Sequence, residues 1–473
     1  MNLQDCRRRT KIVCTLGPAS SSPDMIRAMI RMGMDVARLN FSHGDHETHG
    51  QAILELRRAA EEIGRPVGVL MDLSGPKIRL GEMPEHQLTI GQEVTLATGE
   101  KATGEEIPVN YQYLIEDVEV GHRILCADGK VELKVMKKEA GRLYCQVIVG
   151  GKLTSHKGVN LPNSDLRIPA FTDKDRRDLE FGLSRDVDFV AMSFVRHERD
   201  LAPVREIIQK SEHPPLLIAK IEKPQALDRL PQILTAVDGV MVARGDLGVE
   251  MPVEKVPVIQ KLIIQEARRA GRIVITATQM LASMISDPRP SRAEVADVAN
   301  AIFDGTDAVM LSDETTIGQY PLEAVDVLSK VAWYTEPQLN ADRFLDEEIS
   351  ELLPHTGAAI SRAAAWLAHD MPAMAMVAAT TSGLTARLTS RMRPSIAIIG
   401  LTSRIKTFRQ LSMCFGVIPA LIKPCLTVDE LAVEARQWVR DQALAKPGDR
   451  LVMTAGLPLQ SSGTTNFLKI VEV

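Results

Sequence analysis

The segment IAKIEK, residues 218–223, places Lys220 and Glu222 two positions apart in an otherwise apolar run. If that run is a strand, its side chains alternate between faces, so both charges share one face while Ala219 and Ile221 take the other. Buried charges are rare unless paired, and an isolated K-x-E suits a structural ion pair as well as a site. Other polar residues decide. Similar runs end in Arg38, Asn40 and Ser42 (VARLNFS); in Asp72, followed by Lys77 and Arg79 (MDLSGPKIR); in Arg244 and Asp246 (MVARGD); in Thr276 and Thr278 (ITATQ); and in Ser312 and Glu314 (MLSDE). Glu222 and Asp246 are hard oxygen donors of the kind that hold Mg2+ or Mn2+, leaving positions for water and substrate oxygens. Arg38, Arg79 and Lys220 carry more charge than those two carboxylates neutralise, so the expected ligand is anionic, and phosphate fits best. Phosphoryl transfer depends mainly on positioning and charge neutralisation, which a metal with Arg and Lys clamps supplies. In GDLGVE, Gly245 and Asp246 are expected at a turn whose N–H groups can face a carboxylate or phosphate.

These residues need a common frame. Eight apolar runs recur between residues 11 and 315, at 11–17, 34–42, 67–75, 187–194, 216–222, 237–246, 272–279 and 306–315, each followed by a segment of helical period. Repeated β–α units predict a parallel sheet, and eight of them predict a (β/α)8 TIM barrel, whose chemistry collects at the C-terminal strand ends. The polar residues above sit at the ends of six of these runs. That shared rim makes Lys220 and Glu222 site residues rather than an isolated pair. The spacing breaks between the third and fourth runs, where short alternating segments rich in valine, threonine and glycine predict an inserted small β-barrel lid. The expected domains are a discontinuous barrel, 1–81 and 169–339, a lid, 82–168, and a C-terminal α/β domain, 340–473, in which GAAISRAAAWLAHD alternates with runs such as SIAIIGL.

The 473 residues are 45% hydrophobic and 25% charged, enough for a large core in several domains. A formal net charge of −5 and only a short basic run at 7–9 argue against nucleic acid. Cys6, Cys14, Cys126, Cys145, Cys414 and Cys425 are scattered without metal spacing, as expected for reduced thiols and no disulfides. Neither a signal peptide nor a membrane-length apolar stretch is evident, so the expected location is cytoplasmic.

The motifs RRTKIVCTLGPAS, DVARLNFSHG, DLSGPKIRL, KGVNLPN, IAKIEK, VMVARGDLGVE, TATQML and VMLSDET resemble, in order, those of the pyruvate kinase family. The resemblance implies a barrel with a lid after its third strand, a C-terminal regulatory domain and a homotetramer. It implies transfer of the phosphoryl group of phosphoenolpyruvate to ADP, giving pyruvate and ATP at the last step of glycolysis. Glu222 and Asp246 then match the ligands of the divalent metal, and Lys220 the cation beside the transferred group. Thr278 matches a threonine in the water chain that protonates the enolate. Arg38, Asn40, Arg79, Lys157 and Gly245 match substrate or nucleotide contacts. Many members hold K+ at positions matching Asn40, Ser42, Asp72 and the residue after it, with a glutamate a few residues on. Here Leu73 follows Asp72 and Lys77 stands in the glutamate's place, so the ammonium of Lys77 is expected to reach Asp72 and Asn40, replace the ion and make K+ unnecessary. Asp313 replaces a small residue usual between Ser312 and Glu314.

TTSGLT, with Thr380, Thr381, Ser382, Gly383 and Thr385, matches the family's effector loop and GLPLQSSGTTN (456–466) the loop facing it. The facing loop contains no Arg or Lys, which favours a sugar monophosphate or AMP over a bisphosphate. A plain helix cap by Thr381 or Ser382 is the alternative there. For the whole chain the alternative is a Mg2+-dependent lyase acting on carbon–carbon bonds through pyruvate enolate, which would need neither a nucleotide lid nor the additional cations.

Overall fold

The computed structural model describes residues 8–345, 350–459 and 463–473. Cys6, Arg7, part of the 335–348 linker and part of the 456–466 loop lie outside them. Eight parallel strands close into a barrel: β1 (Lys11–Thr15), β2 (Val36–Asn40), β3 (Gly68–Leu73), β4 (Phe189–Met192), β5 (Leu216–Ile221), β6 (Gly239–Ala243), β7 (Ile273–Ala277) and β8 (Ala308–Leu311). Every strand falls inside one of the eight apolar runs.

Alternation along the strands sorts the side chains. Val13, Val36, Leu70, Ile218, Met241, Ile275 and Met310 pack in the barrel interior, while Ile12, Ala37, Val69, Leu217, Val240 and Val274 pack with the surrounding helices. Truncating a fully buried residue such as Ile218 to alanine is expected to cost about 2–5 kcal/mol. One step of period two beyond Val36, Leu70 and Ile218 come Arg38, Asp72 and Lys220, so the inward face ends in charge. Parallel register places them together: Arg38 is opposite Leu70, Asn40 opposite Asp72, and Lys220 opposite Met241.

Between β3 and β4 the chain leaves to form a six-stranded sheet and a two-stranded ribbon with their own core, including Leu96, Ile124, Val131, Leu143 and Leu153. The departing residues Arg79 and Leu80 bridge Gly158 and Val109 at the two edges of the larger sheet, closing it into a small barrel. The C-terminal domain is a five-stranded sheet in the order 417–421, 397–402, 375–379, 450–455 and 467–472, the last strand antiparallel. Charged contacts join it to the barrel: Lys406 lies 2.7 Å from Asp186, and Arg409 lies 2.8 Å from Asp188.

Among the described residues Cys14, Cys126, Cys145 and Cys414 are free thiols, and no helix is long and apolar enough to cross a membrane.

Candidate active site

At the C-terminal rim, Lys220 Nζ lies 2.8 Å from Glu222 Oε1 and 3.4 Å from Asp72 Oδ1, and donates to Ser193 Oγ at 2.8 Å. These contacts fix all three ammonium protons. Burial alone would lower the Lys220 pKa, but Asp72, Glu222 and Asp246 outweigh it and push the value up, so the cation persists across the physiological range. Asp72 also accepts from Arg38 Nε at 2.7 Å, and Arg38 Nη1 donates to Thr15 Oγ1 at 3.0 Å. Burial pushes the Asp72 carboxyl up, yet Lys220 and Arg38 pull it further down, and it remains ionised.

Glu222 behaves differently. Its second oxygen accepts from Phe194 N at 2.9 Å, but burial and the neighbouring charge of Asp246 push its pKa up despite Lys220. A second cation here would relieve that repulsion, and two carboxylates from adjacent strand ends suit a hard divalent ion. No group of three or more His, Cys, Asp or Glu side chains arranged for a metal occurs among the described residues, so water and substrate oxygens must complete such a shell.

Asp246 is exposed in the first turn of helix Arg244–Glu250. The expected turn at Gly245–Asp246 is therefore a helix start, because β6 ends at Ala243 and the chain coils at once. Gly245 N donates to Thr278 Oγ1 at 2.7 Å, and that hydroxyl donates to Ala277 O at 2.6 Å. Thr278 and Gln279 have φ of 68° and 54°, a strained conformation for a β-branched residue, held where the surrounding contacts outweigh its cost. Arg244 is turned away from the carboxylates. It pairs with Asp297 at 2.6 Å and donates to Thr278 O at 2.7 Å. Thr276 is buried against Thr306, and Glu314 accepts from Leu281 N at 3.0 Å and Ser312 N at 2.8 Å, so both brace strand ends. Asp313 is exposed.

Above the rim, a cavity of about 350 Å³ opens between lid and barrel, lined by Lys77, Arg79, Lys157, Phe194, Lys223 and Asp246. Its cationic surplus is felt by His43, whose pKa is lowered by partial burial and by Lys77, Arg79 and Arg38. The lid residue Asn160 donates to Glu250 at 2.8 Å, and Lys223 pairs with the same oxygen, fastening the lid over the end of β6. A separate cavity of about 520 Å³ at the opposite rim, beside Arg8, Asp35 and Arg65, contains none of the rim residues.

The chain resembles known proteins along most of its length. Residues 7–325 match the family model for the pyruvate kinase barrel domain, and 358–471 that for its alpha/beta domain. The chain belongs to the pyruvate kinase family. It is 43% identical to the pyruvate kinase of Clostridium perfringens over 98% of this chain and 100% of the relative. It is 44% identical to pyruvate kinase 2 of Synechocystis over 98% of this chain and 79% of that relative. A crystal structure of a pyruvate kinase from Cryptosporidium parvum superposes with a TM-score of 0.93 at 35% identity, covering 100% of this chain and 97% of that one.

The fold thus gathers Arg38, Asp72, Lys220, Glu222 and Asp246 at one rim, with Lys77, Arg79 and Lys157 in the wall above. Ser42 lies past the end of β2, its N–H donating to Asn40 Oδ1 at 3.1 Å. Lys77 is exposed and makes no ion pair within 4 Å among the described residues, so the expected contact with Asp72 and Asn40 is not formed. Arg38 and Lys220 occupy the Asp72 oxygens first. Although much of the side chain is exposed, partial burial in the cleft wall, Arg79 and Lys220 push the Lys77 pKa down, while Asp246 and Asp72 pull it up. Sequence reasoning missed Ser193, Phe194 and Lys223. The fourth run carries its one charge, Asp188, at its start and none at its C-terminal end, and the Phe194 contribution is a backbone N–H at φ 58°.

In the C-terminal domain, Thr380, Thr381, Ser382 and Thr385 line a cavity of about 60 Å³ with Thr402, Ser403 and Lys423. Gly383, at φ 81°, precedes helix Leu384–Ser390, which no side chain caps, so the alternative of a cap by Thr381 or Ser382 is not realised. Thr385 is buried, its hydroxyl 2.8 Å from that of Thr465. Lys423 supplies one cation that the facing loop lacks.

Proposed function

We propose that this chain transfers the phosphoryl group of phosphoenolpyruvate to ADP, giving pyruvate and ATP. The observation that carries the reading is the pairing of the Lys220–Glu222–Asp246 rim with a cleft walled by Lys77, Arg79 and Lys157 beneath the lid. A lyase needs no such second set of cations.

Glu222 and Asp246 would hold Mg2+ or Mn2+, which supplies charge neutralisation and alignment of phosphate and enol oxygens when bound. Lys220, already fixed by Ser193 and Asp72, offers its charge to the bridging oxygen as negative charge gathers there. Arg38, braced on Asp72 and Thr15, orients the substrate phosphate. Arg79 and Lys157 face the nucleotide phosphates, Asn40 completes the phosphate contacts, and Gly245 with Thr278 sets the position of Asp246. The enolate is protonated through water in contact with Thr278, since a threonine hydroxyl is too weak an acid to act alone.

K+ is not required in this reading. Lys77 places an ammonium in the electrostatic range of Asp72 and Asp246, without a direct bond to either. The cavity at Thr380–Ser382 and Lys423 takes a phosphorylated effector with one phosphate, a sugar monophosphate or AMP, and the active species is a homotetramer. The direct test is a coupled assay for pyruvate from phosphoenolpyruvate and ADP, with and without Mg2+. Absence of Mg2+-dependent turnover would refute the assignment.

A further inference from the structure

The chain passes between barrel and lid twice, outward after β3 and back before helix Asp173–Ser184, and one buried carboxylate touches both crossings. Asp175, 1% exposed, accepts from Gly75 N at 3.0 Å with Oδ1, and from Thr172 N at 2.9 Å and Thr172 Oγ1 at 2.6 Å with Oδ2. The Thr172 half is an ordinary capping box, closed by Asp175 N to Thr172 Oγ1 at 3.1 Å. The Gly75 half is not part of any cap. It reaches 100 residues back along the chain to the point where the outgoing strand turns.

That turn abuts the site. Gly75 has φ 63°, and a Cβ there would lie 2.6 Å from Phe194 Cδ2 and 3.3 Å from Ser193 Cβ. Ser193 and Phe194 are the residues that accept from Lys220 and donate to Glu222. The two preceding residues are fixed as well, Leu73 O accepting from Ser193 Oγ at 2.8 Å and Ser74 Oγ donating to Phe41 O at 2.9 Å. Beyond Gly75 the chain is next held inside the lid, where Ile78 O accepts from Val159 N at 2.9 Å and Arg79 N–H meets Asn110. Pro76 and Lys77 lie on that short span.

We propose that Asp175 is a positioning residue, tying the outgoing and returning crossings to one carboxylate so that Lys77 and Arg79 stand at a fixed distance from the rim. The proposal rests on the transferase reading above, in which those cations face substrate and nucleotide phosphates. A carboxylate is needed because three donors converge on two oxygens. An amide of the same size has only one acceptor oxygen and would present its own N–H groups to the others.

The test is Asp175→Asn, with pyruvate formation by the unmodified enzyme measured first. If that enzyme does not turn over, the functional reading fails, whatever Asp175 does. Given an active parent, the variant should show KM for ADP raised about five-fold or more, since small misplacements of clamping groups are costly. Amide hydrogen exchange across 75–80 and 168–173 should quicken. Exchange of pyruvate methyl protons with D2O, run with Mg2+ and inorganic phosphate in place of the transferred group, should be retained, because it uses the rim alone. Thr172→Val, which removes one of the three donors, should move the ADP and exchange readouts in the same direction by less, and Thr172→Ser should restore both. This pair carries the test if Asp175→Asn does not fold. An unchanged KM for ADP, or methyl exchange lost in step with turnover, would overturn the proposal.

Discussion

Lys220 Nζ and Glu222 Oε1 are 2.8 Å apart on the inward face of one strand end, yet the two respond to burial in opposite ways. Lys220 is held firmly charged by three carboxylates, whereas Glu222, beside Asp246, is pushed toward its protonated form. The pair is therefore not a balanced ion pair, and the excess negative charge sits where a divalent cation would bind.

Replacing Lys220 by methionine should lower kcat by about two to three orders of magnitude while leaving KM for phosphoenolpyruvate within a few-fold, because its charge is most useful as the phosphoryl group leaves. Steady-state kinetics with purified Lys220→Met decides this. Turnover close to that of the parent would remove Lys220 from the mechanism.

The raised pKa of Glu222 gives metal binding a pH slope. In the proposed metal site the deprotonated form of Glu222 is the ligand, so Mg2+ affinity should weaken as pH falls toward that raised value and strengthen above it. The linkage runs the opposite way without metal. A carboxyl with a raised folded pKa favours folding while protonated, so its contribution is lost as pH rises through that value, and added Mg2+ should stabilise the fold most at the alkaline end. Titration calorimetry from mildly acidic to neutral pH, with Glu222→Gln as the comparison, should show the slope in the parent and its loss in the variant.

The frame of the molecule was legible because periodicity is a strong signal: all eight strands lie within apolar runs, and the end of each inward face announced Arg38, Asp72 and Lys220. Contacts made through backbone groups were not. Phe194 N and Gly245 N leave no trace in residue type, and Ser193 is an unremarkable polar residue until Lys220 reaches it. Long side chains misled in another way. Arg244 has the right position but turns to Asp297, and Lys77 has the right charge, but Asp72 was already satisfied by nearer cations. Sequence fixes which rim a residue belongs to, while competition among partners fixes where it points.

At the opposite rim Asp35 offers a test of stability alone. Burial would raise its pKa, but Arg8 at 2.7 Å, Arg65 at 2.9 Å, Lys11 and the N–H of Ile12 hold it at about 2. A depressed carboxylate contributes stability above its unfolded value and loses it as pH falls through the folded one. Asp35→Asn should therefore cost about 2 kcal/mol or more at neutral pH, and the gap should close between about pH 4 and pH 2. Denaturant melts of both proteins across that range provide the measurement.

For Lys77, activity in sodium or Tris buffers free of K+ should equal that with K+ at constant ionic strength, and Lys77→Glu should acquire a K+ dependence. A bound K+ about 4 Å from the ammonium would be repelled by about 4 kcal/mol at an effective dielectric of 20. Because Lys77 is exposed and unpaired among the described residues, the effect is one of field rather than of a bond, and Lys77→Met should weaken activity without creating the full K+ dependence of the glutamate variant. Many-fold stimulation of the unmodified enzyme by K+ would defeat this reading.

The last prediction concerns the C-terminal cavity. Ser382 lies in its wall with Thr380 and Thr381, the carbonyl of Thr381 accepts from Thr407 Oγ1 at 2.8 Å, and Thr407 shares helix Ile405–Gln410 with Lys406 and Arg409. Those two side chains reach Asp186 and Asp188, and Asp188 in turn accepts from Val69 N at 2.8 Å on β3, the strand that carries Asp72. A phosphate bound at Thr380–Ser382 and Lys423 is thereby linked through these contacts to the start of β3, whose far end carries Asp72. Ser382→Glu puts a carboxylate where that phosphate would sit, so activation by sugar monophosphates and AMP should disappear while activity without effector is kept. Lys406→Met should leave effector binding, read by calorimetry, nearly unchanged but reduce the activation it produces. Activation that survives Ser382→Glu for every phosphorylated compound tried would place the regulatory site elsewhere. Activation lost in that variant but undiminished in Lys406→Met would retain the site and reject the link.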